Sequence, residues 1–82
     1  MVQLLFMGKL ADVSGAMMVE RVLPDGVQDT AALRTWLDEA YQADGALLEP
    51  SVRLAINSEI VAEPAKVQDG DEVALMPPVG GG

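Results

Sequence analysis

Short blocks of alternating apolar and polar residues run along this chain, and they predict five strands and one long helix. The first block is 2–7, where Val2, Leu4 and Phe6 share one face and Gln3, Leu5 and Met7 share the other. Between Gly8 and Gly15, Leu10, Ala11 and Val13 suit one or two turns of helix. Residues 16–23 predict a second strand, stopped at Pro24-Asp25-Gly26. Proline presets φ there and glycine accepts a positive φ, which together make a turn.

The helix comes next. Asp29 is placed to cap it, its carboxylate accepting from an orphan amide of the first turn. Leu33, Trp36, Leu37, Ala40 and Tyr41 then follow the 3.6-residue period as one apolar stripe. Arg34, Thr35, Asp38 and Glu39 fall on the predicted solvent side, and Asp44-Gly45 ends the helix. Trp36 and Tyr41 are expected in the core. Val52 to Asn57 predicts a third strand, with Asn57-Ser58 turning into a fourth at Ile60-Val61-Ala62. Pro64 to Val67 is a connector, Asp69-Gly70-Asp71 a turn, and Glu72 to Met76 the last strand, stopped by Pro77-Pro78. The expected fold is α+β: a roll of the β-grasp kind, whose mixed sheet of about five strands is covered on one face by the long helix. Residues 1–77 form the domain and 78–82 an extended, flexible tail.

Composition narrows the chemistry. The 82 residues include no cysteine and no histidine, which removes disulfides, thiolate nucleophiles, Cys/His zinc sites and histidine-based triads. Thirteen acids against 5 bases give a net charge of −8, so nucleic acid is a poor partner and a basic protein surface a good one. The apolar opening, Val2 to Met7, has no basic region before it and ends far short of a signal-peptide core or membrane span. A cytoplasmic protein without membrane attachment is expected.

Neither Lys9 nor Lys66 sits in a phosphate-binding loop. Asp69, Asp71 and Glu72 lack the ligand spacing of a calcium loop, so a solvated turn and no metal site are expected. Ser14, Ser51 and Ser58 have no histidine to activate them. The ending is different: Gly80, Gly81 and Gly82 follow a strand, Pro77-Pro78 and Val79. A frayed end is the plain alternative. Functionally, such a tail threads a narrow channel because glycine has no side chain, and its unhindered carboxylate is open to attack on ATP. Pro77 and Pro78 hold its root extended and cannot donate to a ladder. Strand parity also places Met7 and Met76 opposite Phe6 and Leu75; with Ile60 they form a candidate apolar docking patch, the alternative being a place in the core.

These residues resemble a family. The ending Asp69-Gly70-Asp71-Glu72-Val73-Ala74-Leu75-Met76-Pro77-Pro78-Val79-Gly80-Gly81-Gly82 is similar, nearly position for position, to that of the small subunit of molybdopterin synthase. These are the MoaD-type sulfur carriers of the ubiquitin-like β-grasp superfamily. Phe6, Gly15, Ala32-Leu33-Arg34 and Ala55-Ile56-Asn57 match in order and spacing, so the resemblance spans the chain. Gly80 replaces a small or hydroxyl residue, Ala11 stands where many members carry arginine, and Met7 and Met76 stand where phenylalanine is common.

The resemblance implies a sulfur carrier that is not an enzyme on its own and holds no tightly bound cofactor. A MoeB-type activating enzyme uses ATP transiently to adenylate Gly82, and sulfide displaces AMP to leave a thiocarboxylate. The tail then enters a MoaE-type large subunit, which holds the catalytic pocket, and delivers sulfur to cyclic pyranopterin monophosphate for molybdenum cofactor biosynthesis. Two small subunits on a large-subunit dimer make a heterotetramer, with Met7, Ile60 and Met76 as the family's docking patch. Other readings stay open: a carrier for thiamin or cysteine biosynthesis, a ubiquitin-like modifier joined through Gly82, or a β-grasp interaction module. Pro77-Pro78-Val79 favours the molybdopterin branch.

Overall fold

In the computed structural model, which describes residues 1–78, the chain builds one five-stranded sheet. Strand β1 is Val2–Phe6, and a 3-10 turn at Gly8–Leu10 leads into the single-turn helix α1, Ala11–Ser14. Strand β2 is Met18–Arg21, α2 is Thr30–Ala40, and a second 3-10 turn covers Ala46–Leu48. Strands β3 (Arg53–Ile56), β4 (Glu59–Ile60) and β5 (Glu72–Met76) complete the chain. The order across the sheet is β2-β1-β5-β3-β4. The central pair, β1 and β5, is parallel and the other pairs are antiparallel. The sheet is mixed, as the sequence predicts, and the fold is a β-grasp.

Alternation decides which face is covered. Val2, Leu4 and Phe6 are fully buried, as are Leu54, Val73 and Leu75 beside them. Leu33 and Leu37 of α2 pack onto this face, and Leu10, Leu47, Val52 and Val67 close the rim. Burying a leucine or phenylalanine stabilises by about 1.5–3 kcal/mol, so this layer supplies most of the driving force. Trp36 and Tyr41 pack half-buried against it, whereas Ala40 is exposed.

Helix α2 starts where expected. The Asp29 carboxylate accepts from the Ala32 amide at 2.8 Å, satisfying one orphan donor. The connector at 64–67 secures that end too: Thr30 N–H donates to Ala65 O at 2.8 Å, and Ala65 N–H donates to the Thr30 hydroxyl at 3.0 Å. The helix stops at Ala40, short of the expected Asp44-Gly45, because Gln42 enters the left-handed region at φ 52°. The chain then folds back, and the Asp38 carboxylate accepts from the amides of Gly45 and Leu47 at 3.0 and 3.1 Å.

The expected solvent face of α2 is therefore partly wrong. Arg34 is buried, 8% exposed, and Asp38 is half-buried beneath the returning loop. Each carries a charge inward because fixed partners meet it: backbone amides for Asp38, and backbone carbonyls with the Glu63 carboxylate for Arg34. Asp71 departs in the same way from the expected solvated turn. It is 9% exposed and accepts from Asn57 Nδ2 at 3.0 Å and from the Gln68 amide at 2.9 Å. Strand limits differ from the periodicity: β2 is confined to Met18–Arg21, and β4 lies at Glu59–Ile60 rather than at the expected Ile60-Val61-Ala62.

Candidate functional site

The face of the sheet away from α2 is the candidate site. Register brings one residue of each strand into a row: Met18 of β2, Leu5 of β1, Ala74 of β5, Ala55 of β3 and Ile60 of β4. All five are apolar. One step along, Arg53 stands opposite Met76, and Met7 follows Phe6 beside the same strand. Ile60 is 62% exposed and Met7 39%, while Met76 is half-buried between its neighbours. The structure thus places Met7, Ile60 and Met76 on one face and exposes Met7 and Ile60 as large apolar groups.

That row adds four residues to the expected patch of Met7, Ile60 and Met76: Leu5, Ala74, Ala55 and Met18. Leu5 has the parity of Met7, so alternation alone could have found it. Met18 required the register of β2, which the sequence does not print. On the opposite border of this face, Glu20, Gln3 and Glu72 form a polar row.

The root of the tail lies at the methionine end. Met7 N–H donates to Leu75 O at 3.0 Å, continuing the β1–β5 ladder to its end. Pro77 and Pro78 then follow Met76 and supply no further donor. Pro77 is half-buried and lies against Gly8, which has φ +53° and no side chain to obstruct it. Pro78 is exposed. Val79, Gly80, Gly81 and Gly82, which carry the expected tail chemistry, lie outside the described residues.

The buried charges of the described residues, Arg34 and Asp71, serve structure. Arg34 Nε donates to Glu63 Oε1 at 2.9 Å and Nη2 to Oε2 at 2.6 Å, a bidentate pair. Its Nη1 also donates to Leu47 O and Glu49 O at 2.8 and 3.2 Å, and its Nη2 to Val52 O. The donating guanidinium of Arg34 holds the Glu63 carboxyl below its ordinary value, against the opposing effect of burial. Among the described residues no cluster of three acidic, histidine or cysteine side chains is placed to hold a metal. No helix among them is long and apolar enough to cross a membrane.

Residues 4–82 match the ThiS family. The chain belongs to that family. ThiS-family membership makes it a small β-grasp protein of the sulfur-carrier or ubiquitin-like modifier type. Among curated proteins no sequence matches it. Among solved structures it is similar to SAMP1 from Haloferax volcanii, with 28% identity and a TM-score of 0.79 over 99% of this chain and 98% of that one. A second structure, the H. volcanii small archaeal modifier protein 1, is 30% identical, with a TM-score of 0.76 over 95% and 97%. The fold also matches a chain of the complex of subunits 1 and 2 of molybdopterin-converting factor from Helicobacter pylori 26695. There the identity is 24% and the TM-score 0.62, over 99% and 97%.

Proposed function

We propose that this ThiS-family protein is the sulfur-carrier subunit of a molybdopterin synthase. The observation that carries the reading is spatial: the apolar face through Met7, Met76 and Ile60 is continuous with the strand end from which Pro77 and Pro78 lead into the tail. A partner seated on that face meets the root of the tail at its own surface. A net charge of −8 favours a basic partner. The Pro77-Pro78-Val79-Gly80-Gly81-Gly82 ending supports the molybdopterin branch of the family.

In this reading, the Gly82 carboxylate attacks the α-phosphorus of ATP on a MoeB-type activating enzyme, forming an acyl-adenylate and releasing pyrophosphate. A sulfide equivalent attacks the acyl carbon and AMP leaves, so one carboxylate oxygen is replaced by sulfur. The thiocarboxylate is then presented to cyclic pyranopterin monophosphate inside a MoaE-type large subunit. The carrier's own residues do two things: the sheet face docks, and the side-chain-free tail reaches.

Intact mass after incubation with ATP, the cognate activating enzyme and a sulfide source tests this. A gain of about 16 Da at Gly82 is the expected result, since sulfur replaces oxygen. An unchanged mass, with an activator proven on its own carrier, removes the proposal. The similarity to the archaeal modifiers favours a second reading, conjugation of Gly82 to lysines of target proteins. Covalent adducts of higher mass in cells, lost on deletion of Gly82, would support that reading instead.

A further inference from the structure

We propose that the open edge of β2 accepts an extended segment of a partner protein as an added strand, with a basic side chain placed opposite Glu20. Among the described residues, strand β2 ends the sheet and pairs with β1 alone. Phe6 N–H donates to Met17 O at 2.7 Å, and this fixes the phase of the ladder. Antiparallel alternation then turns Val19 and Arg21 toward β1 and points the backbone groups of Met18 and Glu20 outward. Those outward groups are a template for another strand.

Proteins usually guard such an edge with shortness, lysine, proline or a bulge. The far edge, β4, is only two residues long. Strand β2 has four residues and neither lysine nor proline. Its one cation is turned away: the Arg21 guanidinium lies 5.2 Å from the Trp36 ring centroid and 5.5 Å from that of Tyr41, and donates to the Tyr41 hydroxyl at 3.1 Å. That stacking anchors the inner side of β2 to α2 and leaves Glu20 as the one charge on its outer side.

The outer side reads apolar, acidic, apolar. Met18 is 54% exposed and Val22, one alternation beyond the strand, 68%, with the exposed Glu20 between them. Val22 also lines an open groove of about 640 Å³ with Leu23, Val27 and Val67, so apolar surface continues past the strand. Charge selects the occupant. A second copy would bring together two chains of charge −8, and antiparallel pairing about Glu20 would oppose like charges. An extended segment with a basic residue between two apolar ones meets both the backbone and the side-chain pattern.

The test is NMR titration of the full chain with the peptide acetyl-Thr-Val-Thr-Lys-Thr-Val-Thr-amide. The expected result is shift changes centred on Met18 to Val22, with slowed hydrogen exchange at the Met18 and Glu20 amides. Glu20→Lys should weaken binding by about tenfold, the scale of reversing one cross-strand charge pair. Replacing the peptide's Lys by Glu should restore it on that variant. A peptide N-methylated at alternate backbone amides should not bind the parent protein. No shifts at β2 at millimolar peptide, equal binding by the Glu20→Lys variant, or equal binding of the N-methylated peptide would each overturn the proposal.

Discussion

Pro77 sits against the bare backbone of Gly8: a Cβ added to Gly8 would lie 3.2 Å from Pro77 Cγ. Gly8 also has φ +53°, where an L side chain is strained. Two independent features therefore favour glycine, and both act at the root of the tail. Gly8→Ala should lose about 1–2 kcal/mol of unfolding free energy, the cost of a non-glycine residue in the left-handed region. Urea denaturation measures it, and an unchanged midpoint would show that the turn relaxes freely.

Arg34 ties α2 to the loop that delivers β3. Its guanidinium bonds the carbonyls of Leu47, Glu49 and Val52 as well as the Glu63 carboxylate. Arg34→Ala leaves those acceptors unmatched in a buried site, so a loss of about 3–5 kcal/mol is expected. Arg34→Lys should recover only part, because a single ammonium cannot reproduce the planar fork. Full recovery by lysine in chemical denaturation would show that charge alone holds the loop.

These two residues also mark what the sequence could and could not say. Strand alternation was legible: Val2, Leu4, Phe6, Val73 and Leu75 bury as their parity requires, and Asp29 caps α2. The period of α2 failed at Arg34 because helical geometry assigns a side chain to a face but not to a partner. A charged residue goes inward when carbonyls distant in sequence converge on it, and no local pattern records that convergence. Met7, Met76 and Ile60 could be placed on one face by parity and a turn, while Met18 joined them only through the β1–β2 register. Gly8 was legible as the boundary between the first strand and the short helix, but its contact with Pro77 depends on the parallel pairing of β1 and β5.

Glu63 should give the protein an acid-sensitive component of stability. Its carboxyl is held below the ordinary value of 4.5, chiefly by the hydrogen bonds from Arg34. A depressed folded-state pKa stabilises the native state above the unfolded value, and this contribution fades as pH falls through the folded value. Glu63→Gln should therefore lower stability at pH 7 and flatten its decline below about pH 4.5. Parallel denaturation curves at pH 7 and in the acid range check the sign. An equally steep decline in the variant would assign the acid sensitivity to other carboxylates.

The docking and transfer roles proposed for the two ends of this surface should separate by mutation. Met76 lies on the outer face opposite Arg53, with Leu75 beside it in the core. Met76→Glu therefore adds a charge to the proposed docking face without opening a cavity in the fully buried layer. Binding to the large subunit should fall by about tenfold or more, with the unfolding midpoint little changed, because desolvating an added carboxylate at an interface costs more than about 1.4 kcal/mol even beside Arg53. Deletion of Gly82 should do the reverse. Docking through Met7, Ile60 and Met76 should persist, while the mass gain and sulfur transfer vanish. Calorimetry for binding and intact mass for thiocarboxylate formation distinguish the two. Loss of both properties in both variants would mean that tail and face act as one inseparable contact.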